Sequence, residues 1–513
     1  MAPPAAAGAH ESSDSDGLLG APWAGESDGS ESDGSGLGPA PRAAAVGFWL
    51  GPAGGAALGG CLALWAPAGV ARGAQLLVGA TFWVATWWLT EAMPLGVTSL
   101  LPVVLFPALG ILSVEETVRS YSHRLCFLFL GGFQLAFAVE RAGVQRRVAL
   151  GMLGFTGTRP SGIVLGMMLS VGLLSMLLSN VSTTLMILPV VKSVAASVEG
   201  EGGFAKAILL SVCYAASTGG VGTIIGTPTN GVLMGQLSRG RRISFVQWLG
   251  FAAPLATVML LLIWLLLVFR FGLSLRDVAA GPPRAVLSEA GLGLGPMSQA
   301  ECRVSAVFAL VVAGWVLREP SLTFLGCGPD AAAPVCSIGD EVVAIAATVL
   351  LFSVHAEGAD GVRAPLLDWA TFLKTPWDIL LLFGAGFAIA DGFLKTGLSG
   401  NIGAALASLQ GCPTVLLVLV TVLLVTFLTE LTSNVATASI LLPVLGSMSC
   451  HLGLSPVVLM VPAGIACSCA YMLPIATPPN PSCSLPSSSR SWTWPALASR
   501  STSGLRSASR SGS

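Results

Sequence analysis

Charge is what this sequence has least of. Asp, Glu, Lys and Arg make up 10% of its 513 residues, against about 25% in a soluble globular domain. A chain this long and this poorly charged has too little polar surface to cover itself in water, which excludes an ordinary soluble fold. The net charge is −1, so nothing points to a nucleic-acid partner. Histidine is also scarce, with four in the whole chain. An intramembrane protease would need a Ser with a His, or two Asp, at membrane depth. His123 and His355 lie near the ends of apolar segments without such a partner, and Asp378 and Asp391 fall outside a useful spacing. The eleven cysteines form no metal-binding pattern. Cys61, Cys126 and Cys213 sit in apolar runs and read as buried free thiols. Cys327 and Cys336 flank a Gly-, Pro- and Ala-rich loop that an oxidising compartment would close as a disulfide. The N-terminus lacks the basic start and apolar core of a signal peptide, so the first helix is expected to stay and anchor the chain.

What the chain does have is apolar length. Hydrophobic residues account for 53% and glycine for 62 positions, and membrane helices tolerate glycine and proline better than soluble helices do. Residues 1–44 are rich in Ser, Gly, Asp and Glu and read as a disordered acidic N-terminal tail. Apolar stretches then recur near 45–67, 74–90, 95–112, 126–140, 162–196, 205–236, 244–270, 303–317, 340–355, 378–397, 413–447 and 455–480. About 20 such residues span a bilayer core. The stretches 162–196 and 413–447 carry polar residues at their middles and read as pairs of half-length helices meeting at a tip inside the membrane. Arg141, Arg146, Arg147 and Arg159 form one basic cluster, and Arg270, Arg276, Arg284 and Arg303 another; both suit a cytoplasmic side. The run Arg239-Gly-Arg-Arg falls on the opposite side in a simple count.

An internal repeat organises these stretches. Ser179-Asn180-Val181 opens an apolar run ending at Pro189, and Ser433-Asn434-Val435 opens one ending at Pro443; both pairs lie 254 residues apart. The same offset relates Gly132-Phe133 to Gly386-Phe387 and Gly143 to Gly397. Thr227-Pro228-Thr229-Asn230 recurs as Thr477-Pro478-Pro479-Asn480, 250 residues on. Ser-Asn and Thr-Pro-x-Asn are poor choices for a lipid-facing helix. Proline removes a backbone donor, and Asn and Ser cost free energy in hydrocarbon unless paired. Irregular backbone at membrane depth is tolerated only inside protein or beside a cavity. Helices broken at matching positions in two halves point to a transport site near the midplane, with N–H groups for an anion and carbonyls for a cation. A lone Ser-Asn would be helix–helix glue, but the conjunction recurs in register. Asn180-Val181-Ser182 also fits a glycosylation pattern, which its apolar setting argues against.

At these residues the chain resembles the divalent-anion:sodium symporter family, the sodium-coupled di- and tricarboxylate and sulfate transporters. The resemblance covers about 45–480 and includes Trp87-Trp88-Leu-Thr-Glu-Ala-Met-Pro, Phe129-Leu-Gly-Gly-Phe, Gly222-Thr-Ile-Ile-Gly-Thr-Pro-Thr-Asn230, Leu428-Thr-Glu-Leu-Thr-Ser-Asn434 and Met472-Leu-Pro-Ile-Ala-Thr-Pro-Pro-Asn480. It implies an all-α polytopic membrane protein with an inverted repeat, two re-entrant helical hairpins and broken helices. It also implies a homodimer. A transporter domain over 45–480 would hold a first repeat near 74–236 and a second near 340–480. By matching position, one sodium site would use Ser175, Ser179, Asn180 and Gly226, and the other Thr429, Thr432, Asn434 and Ala476. The substrate would meet Asn180, Val181, Thr227, Pro228, Asn434, Val435, Thr477 and Pro478.

Two departures stand out. The family motif is usually Ser-Asn-Thr, and Val181 and Val435 each remove a hydroxyl able to bond an anion oxygen. After Asn480 the family continues with a helix and one more span, whereas residues 481–513 are rich in Ser, Arg and Pro and read as a translation in the wrong frame or a mis-predicted exon, ahead of a genuine regulatory tail. The expected activity is sodium-driven uptake of a dicarboxylate such as succinate or malate, or of citrate. A sulfate symporter, a proton-coupled or exchanging organellar carboxylate carrier, and a non-transporting truncated product are the alternatives. No enzyme activity and no organic cofactor are expected. Sodium is the coupling ion, the lipid bilayer the surroundings, and the plasma membrane the expected site ahead of vacuole or other organelle.

Overall fold

A computed structural model describes residues 41–65, 71–156, 159–197, 203–237, 243–273, 295–324, 338–357, 363–398, 400–401, 411–473 and 477. The described part is nearly all helix. In chain order α1 (Pro41–Trp65) comes first, and the expected first repeat region then holds α2 (Arg72–Thr90), α3 (Leu95–Thr98), α4 (Leu101–Ala108), α5 (Val114–Tyr121), α6 (Arg124–Ala142), α7 (Val144–Thr156), α8 (Pro160–Ser175), α9 (Asn180–Ser197), α10 (Phe204–Gly220) and α11 (Pro228–Leu237). Then come α12 (Phe245–Phe271) and α13 (Gln299–Phe324). The second repeat region holds α14 (Asp340–Ser353), α15 (Trp369–Phe372), α16 (Trp377–Lys395), α17 (Thr414–Thr429), α18 (Asn434–His451) and α19 (Pro456–Cys467). Four helical runs among the described residues are long and apolar enough to cross a bilayer: Val114–Ala142, Phe245–Phe271, Gln299–Arg318 and Trp377–Lys395. Shorter apolar helices, including α8, α10, α17 and α19, supply the rest.

Several elements differ from the sequence expectation for physical reasons. The stretch 95–112 is not one span but two short helices, α3 and α4, with Pro94 ahead of α3 and Pro102 just after the break. Helix α5 carries Glu115, Glu116 and Arg119, and Ser113 and Glu116 close a reciprocal capping box at its start. A two-stranded antiparallel hairpin, β1 (His355–Glu357) and β2 (Arg363–Pro365), follows α14. Cys126 is buried and free, but Cys61 is exposed and Cys213 is disulfide-bonded rather than free. The segment 1–40, the loop with Cys327 and Cys336, the run Arg239-Gly-Arg-Arg, and residues 481–513 lie outside the described residues.

The repeat is visible in the helix ends. The breaks α8/α9 and α17/α18 have all four boundaries 254 residues apart: Pro160 and Thr414, Ser175 and Thr429, Asn180 and Asn434, Ser197 and His451. Gly143, which caps α6, has φ 79°, and its repeat partner Gly397, just past α16, has φ 70°. Only glycine takes that backbone conformation cheaply, which explains its recurrence there.

Three packed clusters hold these helices around the breaks. One joins the loop 221–225 and α11 to α6, α12, α13, α14, α16, α18 and α19. A second joins α7 through α10 with α12. The third joins α2 and α4 with α16 and α18. Burial of Phe129, Phe383 and Phe387 around α11 fixes that half-helix, because Gly231 and Gly235 leave room only for the rings. Ion pairs tie the segment ends: Arg141 to Asp368, Arg147 to Glu301, Arg318 to Asp340.

Candidate functional site

The first break is built on a hydroxyl and an amide. Ser175, the last residue of α8, points its Oγ at Asn180 Oδ1, 2.7 Å away, and at the carbonyl of Ala216 in α10, 2.6 Å away. A hydroxyl has one proton and cannot donate to both acceptors. Three oxygens therefore crowd together with lone pairs in excess, and a small hard cation relieves that condition. Backbone carbonyls thicken the cluster. A Cβ added at Gly226 would lie 2.5 Å from Gly220 O, 2.9 Å from Ser175 O and 3.0 Å from Met176 O. A Cβ at Gly220 would lie 2.7 Å from Asn180 Oδ1 and 3.0 Å from Gly226 O. Only glycine fits at both positions, and its absent side chain leaves the oxygens facing one another. Neutral oxygen donors of this kind suit sodium.

The second break repeats the pattern. Thr429 Oγ1 faces Asn434 Oδ1 at 2.7 Å and Cys467 O at 2.9 Å. The same excess of acceptors over protons arises 254 residues on. Thr432 Oγ1 bonds to Leu428 O at 2.9 Å and shares a proton with Thr437 Oγ1 at 2.6 Å. Asn180 and Asn434 are each half-buried at the first position of their helices, and Val181 and Val435 follow them, also half-buried. Ser179 is exposed, and its Oγ accepts from Ser182 N at 3.1 Å, so its hydroxyl caps α9. Thr227 is buried beside Thr229, with Pro228 at the first position of α11. Thr477 is buried with its Oγ1 unpartnered. Ala476 and Pro478 lie outside the described residues.

Residues that were not among the expected ligands complete the arrangement. Asn230 is fully buried. Its amide nitrogen donates to the carbonyls of Gly220, Val221 and Thr223 at 3.3, 3.2 and 2.7 Å, and so holds the loop between α10 and α11. Thr223 Oγ1 donates to Met176 O, tying that loop to the first break. Glu430, 3% exposed, accepts from Met472 N and Leu473 N, both at 2.8 Å. Across the repeats, Thr229 and Ser468 share a hydroxyl bond of 2.6 Å, and Thr218 and Tyr471 one of 2.8 Å. An acid inside an apolar run was the legible signal for Glu430. Nothing in the spacing marks the Thr218–Tyr471 pair.

Two cavities, of about 590 and 690 Å³, flank the far end of α11 near Gly235 and Gln236 rather than the breaks. The second is lined by Glu116, Arg119, Ser120, His123, Asp391 and Lys395. The oxygen clusters lie instead at the breaks, where each hydroxyl stands at hydrogen-bond distance from two acceptors.

Comparison with known proteins gives a consistent result. Residues 53–487 match the family described as the sodium:sulfate symporter transmembrane region. The sodium-dependent dicarboxylate transporter SdcS of Staphylococcus saprophyticus is 37% identical over 437 residues, covering 82% of this chain and 81% of that protein. SdcS of Staphylococcus aureus is 38% identical over 413 residues, covering 78% of each. The crystal structure of the YdaH transporter of Alcanivorax borkumensis aligns with 70% of this chain and 76% of that one, at 17% identity and a TM-score of 0.43.

Proposed function

Because the chain belongs to the sodium:sulfate symporter family, a group of membrane transporters rather than enzymes, we propose that it couples sodium movement to uptake of a C4 dicarboxylate of the succinate or malate type. The observation that carries this reading is the pair of oxygen triads, Ser175–Asn180–Ala216 and Thr429–Asn434–Cys467, each with one proton between two acceptors. Two such triads at the tips of two broken helices give two cation positions. Beside each, the free N–H groups at the start of α9 and α18 offer a carboxylate an end to bond. A dicarboxylate has two ends, and the repeat has two such starts. The name of the relatives, sodium-dependent dicarboxylate transporter, supports the same substrate class.

In this reading Ser175, Asn180 and Gly226 hold one sodium ion, and Thr429, Asn434 and Ala476 the other, with Ser179 and Thr432 shaping the turns. Asn180, Asn434, Thr227-Pro228 and Thr477-Pro478 meet the carboxylates. Val181 and Val435 make the pocket less polar than a Thr would, which favours a carbon chain over sulfate. Citrate is the next substrate, and a sulfate symporter is the second reading, favoured by the description of the matched family. The working unit is a homodimer in the plasma membrane. Proteoliposomes test the proposal: radiolabelled succinate should accumulate with an inward sodium gradient, and unlabelled malate should compete better than sulfate. Equal uptake with potassium or a proton gradient in place of sodium would refute it.

A further inference from the structure

Among the described residues after α19, 468–473 carry no regular helix, yet they are moored at several points. Ser468 meets Thr229 at 2.6 Å. Glu430 takes the N–H groups of Met472 and Leu473. Between these, the Tyr471 hydroxyl lies 2.8 Å from Thr218 Oγ1, and its ring packs edge-on against Tyr214, with centroids 5.3 Å apart. Thr218 Oγ1 also lies 2.7 Å from Tyr214 O on the preceding turn, and the Tyr471 phenol also meets Cys469, so either hydroxyl can supply the proton of the bond between them.

The location gives the bond its consequence. Thr218 lies two residues after Ala216, whose carbonyl belongs to the first oxygen triad, and two before Gly220, whose carbonyl faces Gly226. Tyr471 lies four residues after Cys467, whose carbonyl belongs to the second triad. One hydroxyl bond thus joins the two backbone segments that each supply a carbonyl to a triad, one per repeat. We propose that Tyr471 and Thr218 are a positioning pair that couples the two cation sites, so that sodium at one preorganises the carbonyls of the other. Neither side chain touches the ions; the pair acts through the backbone on either side of it. This rests on the sodium-coupled reading above.

The test is a double-mutant cycle in proteoliposomes on Tyr471→Phe, Thr218→Val and the double variant, reading succinate uptake against sodium concentration. Each single variant should raise the half-saturating sodium concentration about three- to tenfold and lower the Hill coefficient toward one, with maximal uptake little changed. The double variant should be no worse than either single one, and Thr218→Ser, which keeps the hydroxyl, should behave as wild type. Each single variant leaves a buried or half-buried hydroxyl short of a partner and should melt earlier without sodium, so uptake is read well below the melting range, where only positioning moves the sodium curve. Unchanged sodium curves for Tyr471→Phe, or effects that multiply in the double variant, would overturn the coupling while leaving the transport reading standing. A wild-type protein whose uptake ignores sodium would sink that reading, and the coupling with it.

Discussion

The two halves of the site share a skeleton and differ in what braces it. In both, a hydroxyl at the end of one half-helix faces an asparagine at the start of the next and a carbonyl from a third segment. The first half is braced by neutral groups. Thr223 donates to Met176 O, and the Asn230 amide donates to three loop carbonyls. The second half has Glu430 where the repeat places Met176, and its carboxylate accepts two backbone N–H groups. So donors hold carbonyls in one half, and an acceptor holds amides in the other. The repeat preserves the break and its oxygen triad, and lets the support change polarity.

The deepest cut at this comparison removes the shared part. Asn180→Ala and Asn434→Ala each delete one oxygen of a triad and leave a hydroxyl with a single acceptor. Sodium-dependent succinate uptake should fall by ~100-fold or more in both, with normal amounts of protein in the membrane, because contacts to a charged partner contribute roughly 1.5–3 kcal/mol each. Transport at wild-type rate by either variant would mean that the asparagines only pack. Gly226→Ala should strike one half alone. Its Cβ would lie 2.5 Å from Gly220 O, in the place an ion needs. Uptake should fall ~10-fold or more, and the sodium dependence that survives should be that of one site, with a Hill coefficient near one. A Hill coefficient equal to wild type would show that Gly226 lies outside the cation site.

Glu430→Met makes the halves alike at the position where they differ. It leaves the Met472 and Leu473 N–H groups without their acceptor, a loss of ~2–4 kcal/mol if neither finds water. The apparent melting temperature in detergent should drop, and half-saturating sodium should rise. Glu430→Gln, which keeps one acceptor oxygen, should fall between Met and wild type. If Gln and Met were equally harmful, charge rather than amide capping would be the role of this residue.

How much of this was legible beforehand follows from the physics of each feature. The broken helices were readable, because Ser-Asn in the middle of the long apolar stretches 162–196 and 413–447 has no place against lipid. The repeat was readable, because helix breaks, caps and prolines are set by local residue identity, and local identity recurs at a fixed offset. Gly143 and Gly397 are the plainest case: both adopt positive φ at a helix end. Helix α5 was missed as an element although Ser113 and Glu116 spell its capping box, since attention to spans passes over a short charged helix. Strands β1 and β2 are three residues each, too short for alternation to show. The cross-repeat bonds, Thr229–Ser468 and Thr218–Tyr471, join residues 239 and 253 positions apart. No pattern along the chain encodes them, and only the packing of α10, α11 and α19 brings them together.

The smallest expected effect comes from exchanging the hydroxyl residues of the two triads. Ser175→Thr and Thr429→Ser keep an oxygen at the same place on the backbone and differ by one methyl. Both residues are fully buried. Thr429→Ser removes a packed methyl, worth ~1 kcal/mol, and leaves the triad's chemistry intact. Ser175→Thr must insert a methyl beside Ala216 in the closely packed end of α10, where overpacking costs ~1–3 kcal/mol. Both variants should therefore melt earlier than wild type, Ser175→Thr by more, while half-saturating sodium moves less than about threefold in either. The sodium curves carry the decision. If hydroxyl and amide oxygens make the site, the curves should be nearly superimposable despite the loss of stability. If Thr429→Ser alone shifted the sodium curve tenfold, the methyl would be shaping the second site, and the likeness of the two triads would stop at their hydrogen bonds.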